Sequence, residues 1–177
     1  MLESEYHKSA LARVMKEVGV DSPVKAPRFE KVCLSVGLGG ASSDSKLLAS
    51  AVEDLSLIAG QKAVVTVAKK SISSFKLRKG FPVGCRVTLR KRRMFDFINR
   101  LLYMALPDQK DFKGFTMRNF DGHGNMAFGL TEHIVFPEVD FDKTYRIIGM
   151  NVVVVTTAST DQLARILLSC YGFPFRD

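Results

Sequence analysis

The sequence predicts an α+β fold in which helices pack on one face of a mainly antiparallel sheet and leave the other face open. Three observations carry this. Segments with apolar residues at helical spacing alternate loosely with segments of period-two or β-branched character. Two strand-like segments are consecutive, with a basic loop between them, as antiparallel neighbours are. The 177 residues contain no internal repeat, linker or composition shift, so residues 1–177 are expected to form one domain, long enough to bury about two thirds of their unfolded surface.

The elements follow in order. Leu2, Leu11, Val14, Met15 and Val18 recur at helical spacing, with Ser4 and Glu5 near the start and Gly19 at the end, which predicts an amphipathic helix. Pro23 and Pro27 then impose extended chain. Residues 28–38 alternate (Phe29, Val32, Leu34, Val36, Leu38) as a half-buried strand does, and Gly37, Gly39 and Gly40 end it. A second helix opens on serines and Asp44 as capping candidates, aligns Leu47, Leu48, Val52, Leu55 and Ile58, and stops at Gly60.

Residues 63–68, AVVTVA, form a short β-branched strand, and Val83, Cys85, Val87 and Leu89 alternate through another, with 72–80 between them as a loop. Met94, Phe95, Ile98, Leu101, Leu102 and Ala105 give a third helical face, closed by Pro107. The DGHGN run has turn chemistry and precedes a short apolar strand, so residues 114–129 are expected to be a functional loop or hairpin. Residues 149–158, GMNVVVVTTA, are the strongest strand signal. Ser159, Thr160 and Asp161 can cap a last helix over 162–171.

Charge is concentrated rather than spread. Eleven of the 26 Lys and Arg, and none of the 18 Asp and Glu, lie between Leu55 and Phe95, so the remainder of the chain is net acidic by three. A single-sign cluster on a slightly acidic body creates a local field for polyanions, with phosphate as the expected target. An inert charged loop would intersperse acids to limit self-repulsion, and this one does not. Phe75 and Phe81 fall inside it, where they either stack on unpaired bases or anchor the loop, while Lys76, Arg78 and Lys79 can engage phosphates. Aromatics on a basic loop suit RNA better than duplex DNA, whose readers normally place a helix in the major groove.

Other functions find little support. Cys33, Cys85 and Cys170 are odd in number, distant and in apolar contexts, so they are expected to be reduced core residues rather than disulfide or zinc partners. VGLGGASSDS resembles a dinucleotide fingerprint, but Ser42 stands at the third glycine position and no acid follows a parallel strand. Its bland reading is a chain reversal, although its glycines could donate N–H groups to a phosphate. His7, His123 and His133 lie in unrelated contexts, which predicts no metal site, with His123 an exposed turn residue. Glu138, Asp140 and Asp142 lack a nucleophile beside them and are expected to be surface charge. No cofactor and no catalytic residue is expected. The acidic N-terminal residues and the lack of a long apolar run predict a soluble, cytoplasmic protein without a leader or membrane segment.

Several segments together carry a resemblance. EKVCLSVGLGGA, IAGQKAVVTVAKKSISSFKLRKGFPVGCRVTLR, FDGHGN, HIVFPEVDFDK and FPFR, in this order and spacing, closely resemble the bacterial-type large-subunit ribosomal protein L-five family, which binds 5S ribosomal RNA. The resemblance implies a five-stranded antiparallel sheet backed by helices, whose open concave face grips 5S rRNA in the central protuberance of a cytoplasmic or organellar ribosome, beside other large-subunit components. By position, Ser35, Gln61 and Thr88 would hydrogen-bond the RNA, with Lys62, Lys69, Arg86 and Arg90 near phosphates. Ser35 stands where the family usually has Asn and lacks the amide's paired donor and acceptor. The loop carrying Lys76, Arg78 and Lys79 would reach the P-site tRNA. Residues 114–129 would face the small-subunit head protein S-thirteen, with His123 in place of the usual Arg. The residues by themselves also fit a free-standing single-strand RNA binder or RNA chaperone.

Overall fold

In this computed structural model residues 2–19, 22–39, 45–110, 112–141 and 144–176 are described, the side chains of residues 2–9 excepted. The cap candidates Asp44 and Ser42, together with Gly40, Asp142 and the His7 side chain, lie outside them. Five strands, β1 (Phe29–Gly37), β2 (Val64–Val67), β3 (Pro82–Leu89), β4 (Met126–Leu130) and β5 (Met150–Thr156), form one open antiparallel sheet in the order β2-β3-β1-β5-β4. Four helices accompany it: α1 (Leu2–Val18), α2 (Ser45–Ala59), α3 (Lys91–Arg100) and α4 (Asp161–Cys170). The α+β expectation therefore holds, and each strand falls in a segment that alternation, β-branched residues or a short apolar run had marked. Contacts within the chain cluster into two compact units, Met1–Lys31 with Asp111–Ala127 and Val153–Asp177, and Val32–Lys110 with Phe128–Val152.

In the second unit the alternation of β1 and β3 decides which side chains face the core. Val32 pairs with Leu89, Leu34 with Val87 and Val36 with Cys85, all six of them buried. Cys33 opposite Thr88, Ser35 opposite Arg86 and Gly37 opposite Gly84 occupy the other face, because successive side chains of a strand alternate. Helix α2 covers the apolar side, where the Cys85 thiol donates to the Ala51 carbonyl at 3.7 Å. Gly84 is fixed by close approach: a Cβ there would lie 2.1 Å from the Val36 carbonyl oxygen.

Helix α3 departs from the expected face. Met94, Phe97, Ile98, Leu101, Ala105 and Leu106 are buried, while Phe95 and Leu102 are half-buried. Phe97 stacks on Phe136 at 5.7 Å between centroids. Nor does Pro107 close the helix. The chain continues through a π-helical turn (Leu101–Ala105), in which the Leu106 N–H donates to the Leu101 carbonyl, into a last turn (Leu106–Asp108). Proline brings no N–H and crowds the carbonyl four residues back, and a locally widened helix accommodates both.

Two polar ties inside this unit were not foreseen. His133 and Asp54 are both buried, with Nε2 3.3 Å from the carboxylate, and Ser50 Oγ donates to the same oxygen at 3.3 Å. Arg100 pairs with Glu138 and donates to the Ile58 carbonyl at 2.9 Å. Glu138, expected as surface charge, is thus half-buried and spent on binding its segment to α3, whereas Asp140 is exposed.

In the first unit α1 packs on α4, with Ala10, Val14, Ala164, Leu167 and Leu168 buried. Phe29 meets Tyr171 edge-on at 4.8 Å and Phe173 at 6.5 Å. Thr160 caps α4 by accepting the Leu163 N–H at 3.4 Å. Asp161, another cap candidate, instead accepts the Gly122 and Gly124 N–H groups at 3.1 and 2.9 Å, while Asp121 accepts those of His123 and Asn125. The DGHGN turn is held from both sides, and Asn125 above all keeps the Asp121 carboxyl below its ordinary range.

Gly84→Ala should destabilise the fold by about 3 kcal/mol or more, because the added methyl meets backbone that can move only by parting β1 from β3. Urea denaturation checks this; a midpoint equal to the parent's would contradict the register.

Candidate RNA-binding surface

The sequence-predicted site residues of the second unit fall into two groups. The first lies on and beside the open sheet face. Ser35 and Arg86 are directly opposite each other on β1 and β3, and Thr88 follows Arg86 on the same face. Arg86 and Thr88 are exposed and Ser35 is half-buried. Gln61 and Lys62 lead into β2, whose Val64 stands opposite Arg86. The Gln61 side-chain oxygen accepts from Arg93 at 3.2 Å, which leaves its NH2 group as the available donor. Arg90 is exposed at the N-cap position of α3 and makes no side-chain cap bond. These residues offer hydroxyl, amide and guanidinium groups on and beside the side of the sheet opposite α2.

The second group is the basic loop, which has more structure than the expected plain loop. Ile72 and Leu77 exchange both backbone hydrogen bonds, at 2.8 and 3.1 Å, around a 3-10 turn (Ser73–Phe75). Lys76 closes that turn in the left-handed region, with φ of 51°. Below it Ser71 Oγ accepts the Lys79 N–H at 2.9 Å, and Ala68 exchanges bonds with Gly80 and Phe81. Lys76, Arg78 and Lys79 are exposed on this small hairpin. Phe75 is 77% exposed, so its ring does not anchor the loop; Phe81, at 37%, is less open.

None of these cations is neutralised internally. Of the ten Lys and Arg between Lys69 and Arg93, Arg92 alone has a carboxylate within 4 Å among the described residues, that of Asp96 at 3.9 Å. At physiological ionic strength charges are screened over about 8 Å, so neighbours on the hairpin repel one another until an anion arrives. A polyanion relieves that repulsion and gains contacts together.

Cys33 and Cys170 correct the expectation of three core thiols. Cys85 is buried, but Cys170 is half-buried, and so is Cys33, which lies on the open face 3.8 Å from Thr88 Oγ1. The period of β1 contained that signal, since Val32 and Leu34 point inward on either side. Alternation likewise places Asn151 of β5, exposed between buried Met150 and Val152, outside the core, although its amide carried no motif to reveal it. No described helix is long and apolar enough to cross a membrane. Among the described residues no three His, Cys, Asp or Glu gather as metal ligands.

Known proteins share this chain's sequence over nearly its whole length. The family model for ribosomal protein L5 matches residues 22–78, and the model for the C-terminus of that ribosomal protein family matches residues 82–175. The large ribosomal subunit protein uL5 of Desulforapulum autotrophicum is 49% identical over 176 residues, which is 99% of this chain and 98% of the relative. That of Brachyspira hyodysenteriae is 49% identical, covering 99% and 94%. The Nitratidesulfovibrio vulgaris protein is 50% identical over 175 residues, covering 99% and 98%.

Burial, and secondarily the Asp54 charge, push the Cys85 thiol up to about 11. A thiol raised from 9 stabilises the fold fully below pH 9, and that contribution is lost as pH climbs through 11. Alkylation of the native protein at about pH 8 should therefore label Cys33 well before Cys85, and stability should fall between pH 9 and 11. Equal labelling rates, followed by peptide mass spectrometry, would show that the two faces of β1 and β3 are misassigned.

Proposed function

Because the chain belongs to the ribosomal protein L5 family and is a protein of the large ribosomal subunit, we propose that its open sheet face binds 5S rRNA in the central protuberance and its basic hairpin contacts the P-site tRNA. It is a structural constituent of the ribosome, in the cytoplasm, and not an enzyme. The finer assignment rests on one observation above the rest: unneutralised cations flank a sheet face that presents hydroxyl, amide and guanidinium groups in fixed register.

In this reading the RNA's sugar and base edges meet Ser35, Gln61 and Thr88, while Lys62, Lys69, Arg86 and Arg90 neutralise phosphates. Serine at 35 donates or accepts through one oxygen, so this contact is weaker in pairing specificity than an amide would be. Lys76, Arg78 and Lys79 on the separate hairpin meet the tRNA backbone, and Phe75 is open enough to stack on a nucleotide. Residues 114–129, with the DGHGN turn held by Asp121 and Asp161, face the small-subunit head protein S-thirteen. The whole chain acts as one RNA-binding domain.

Filter binding of a 5S rRNA transcript should show affinity falling steeply with salt, with a log-log slope of about −6 to −7 if about eight phosphates are engaged. Affinity for unrelated single strands equal to that for 5S rRNA would instead mark a general RNA binder or chaperone. Changing Lys76, Arg78 and Lys79 together to Glu should leave folding and 5S binding near the parent's while weakening tRNA binding to reconstituted ribosomes; loss of 5S binding from that change alone would overturn the division into two surfaces.

A further inference from the structure

Glycines that a fold needs differ from those that it merely tolerates. Gly84 is required, by the Val36 carbonyl against it, and Gly149 is crowded by the Leu130 carbonyl oxygen, 3.1 Å from a built Cβ. Gly37 and Gly39 are neither. Their φ angles are negative, and among the described residues a Cβ at either would meet nothing within 4 Å. Gly37 is also exposed at the end of β1, where glycine is less favourable than alanine. A strand glycine with no internal reason marks a place where something outside the chain comes close.

Gly37 and Gly39 line a cleft of about 250 Å3 with Ile147, Gly149 and Arg146. Arg146 is exposed and has no carboxylate within 4 Å among the described residues. Its planar guanidinium suits a phosphate, which it can meet with two parallel hydrogen bonds. The cleft lies at the end of β1, with Leu47 of α2 in its lining, and it is reached from the open face at Gly37, which follows Ser35 on the same side of β1 about 7 Å along the strand.

We propose that this cleft is a phosphate-binding site for the RNA backbone, with Arg146 supplying the cation and Gly37 the bare floor over which the backbone passes. The proposal rests on the reading of the sheet face given above. It extends the RNA track beyond Ser35 onto the segment before β5, which lies outside the basic stretch and whose sequence does not announce itself.

The full-length chain and a 5S rRNA transcript test it, by binding across a salt series with thermal unfolding alongside. Arg146→Ala should weaken binding about tenfold and reduce the salt slope by about one, with the thermal midpoint unchanged. Gly37→Ala should keep or raise the midpoint, because it removes backbone freedom from the unfolded chain, and still weaken binding several-fold. If both variants bind like the parent while Thr88→Ala is weakened, the cleft is no phosphate site and the sheet-face reading stands. If Thr88→Ala and Arg86→Ala also bind like the parent, that reading itself falls. A weaker Arg146→Ala with an unchanged slope and a lowered midpoint would mean that the residue holds structure rather than phosphate.

Discussion

The register between β1 and β3 is the constraint on which the second unit depends. Gly84 lets the Val36 carbonyl approach so closely that no side chain fits between them, and Val36 then faces Cys85 with Leu34 facing Val87. A slip of one residue would turn Ser35, Arg86 and Thr88 toward α2 and expose the valines and leucines that now form the core. Core and open face are two sides of one pairing. What stabilises the protein and what the open face presents cannot be varied independently along these strands.

Electrostatics works in the opposite sense. Among the described residues the basic stretch gains little from its neighbours beyond Arg92 with Asp96 and Arg93 with Gln61, and close like charges destabilise the compact state. The fold answers by placing those charges where solvent screens them, and by keeping its more buried polar pairs elsewhere. Arg100 with Glu138 and His133 with Asp54 are partly or wholly withdrawn from water, where removal of one partner is costly because the other stays uncompensated. Charge thus has two separate uses: inward pairs hold segments together, and outward cations await a polyanion.

Most of the architecture could be read from the residues, for reasons that particular elements make plain. The alternation through Val32, Leu34 and Val36, and again through Cys85, Val87 and Leu89, is an imprint of burial on one side, and so it located both strands and the open face. The capping of α4 by Thr160 was equally local. What escaped was non-local or broke a period. The π turn shifts the helical phase beyond Leu101, so Leu106 replaced Leu102 in the core, whereas Phe97 simply completes the regular helical face of Met94, Ile98 and Leu101. His133 and Asp54 are 79 positions apart in sequence and carry no mark of their partnership. The candidate RNA surface was visible as composition in its basic stretch. Arg146 was invisible because a single arginine becomes informative only beside the glycines that folding brings to it.

The exchange of backbone bonds between Ile72 and Leu77 bears on how contact with RNA is made. A disordered basic segment would have to surrender much of its conformational freedom at the moment of engagement, which taxes affinity. Here that ordering is completed during folding, so the projection would meet the proposed target already shaped, and its grip would be loosened by charge without first being unravelled.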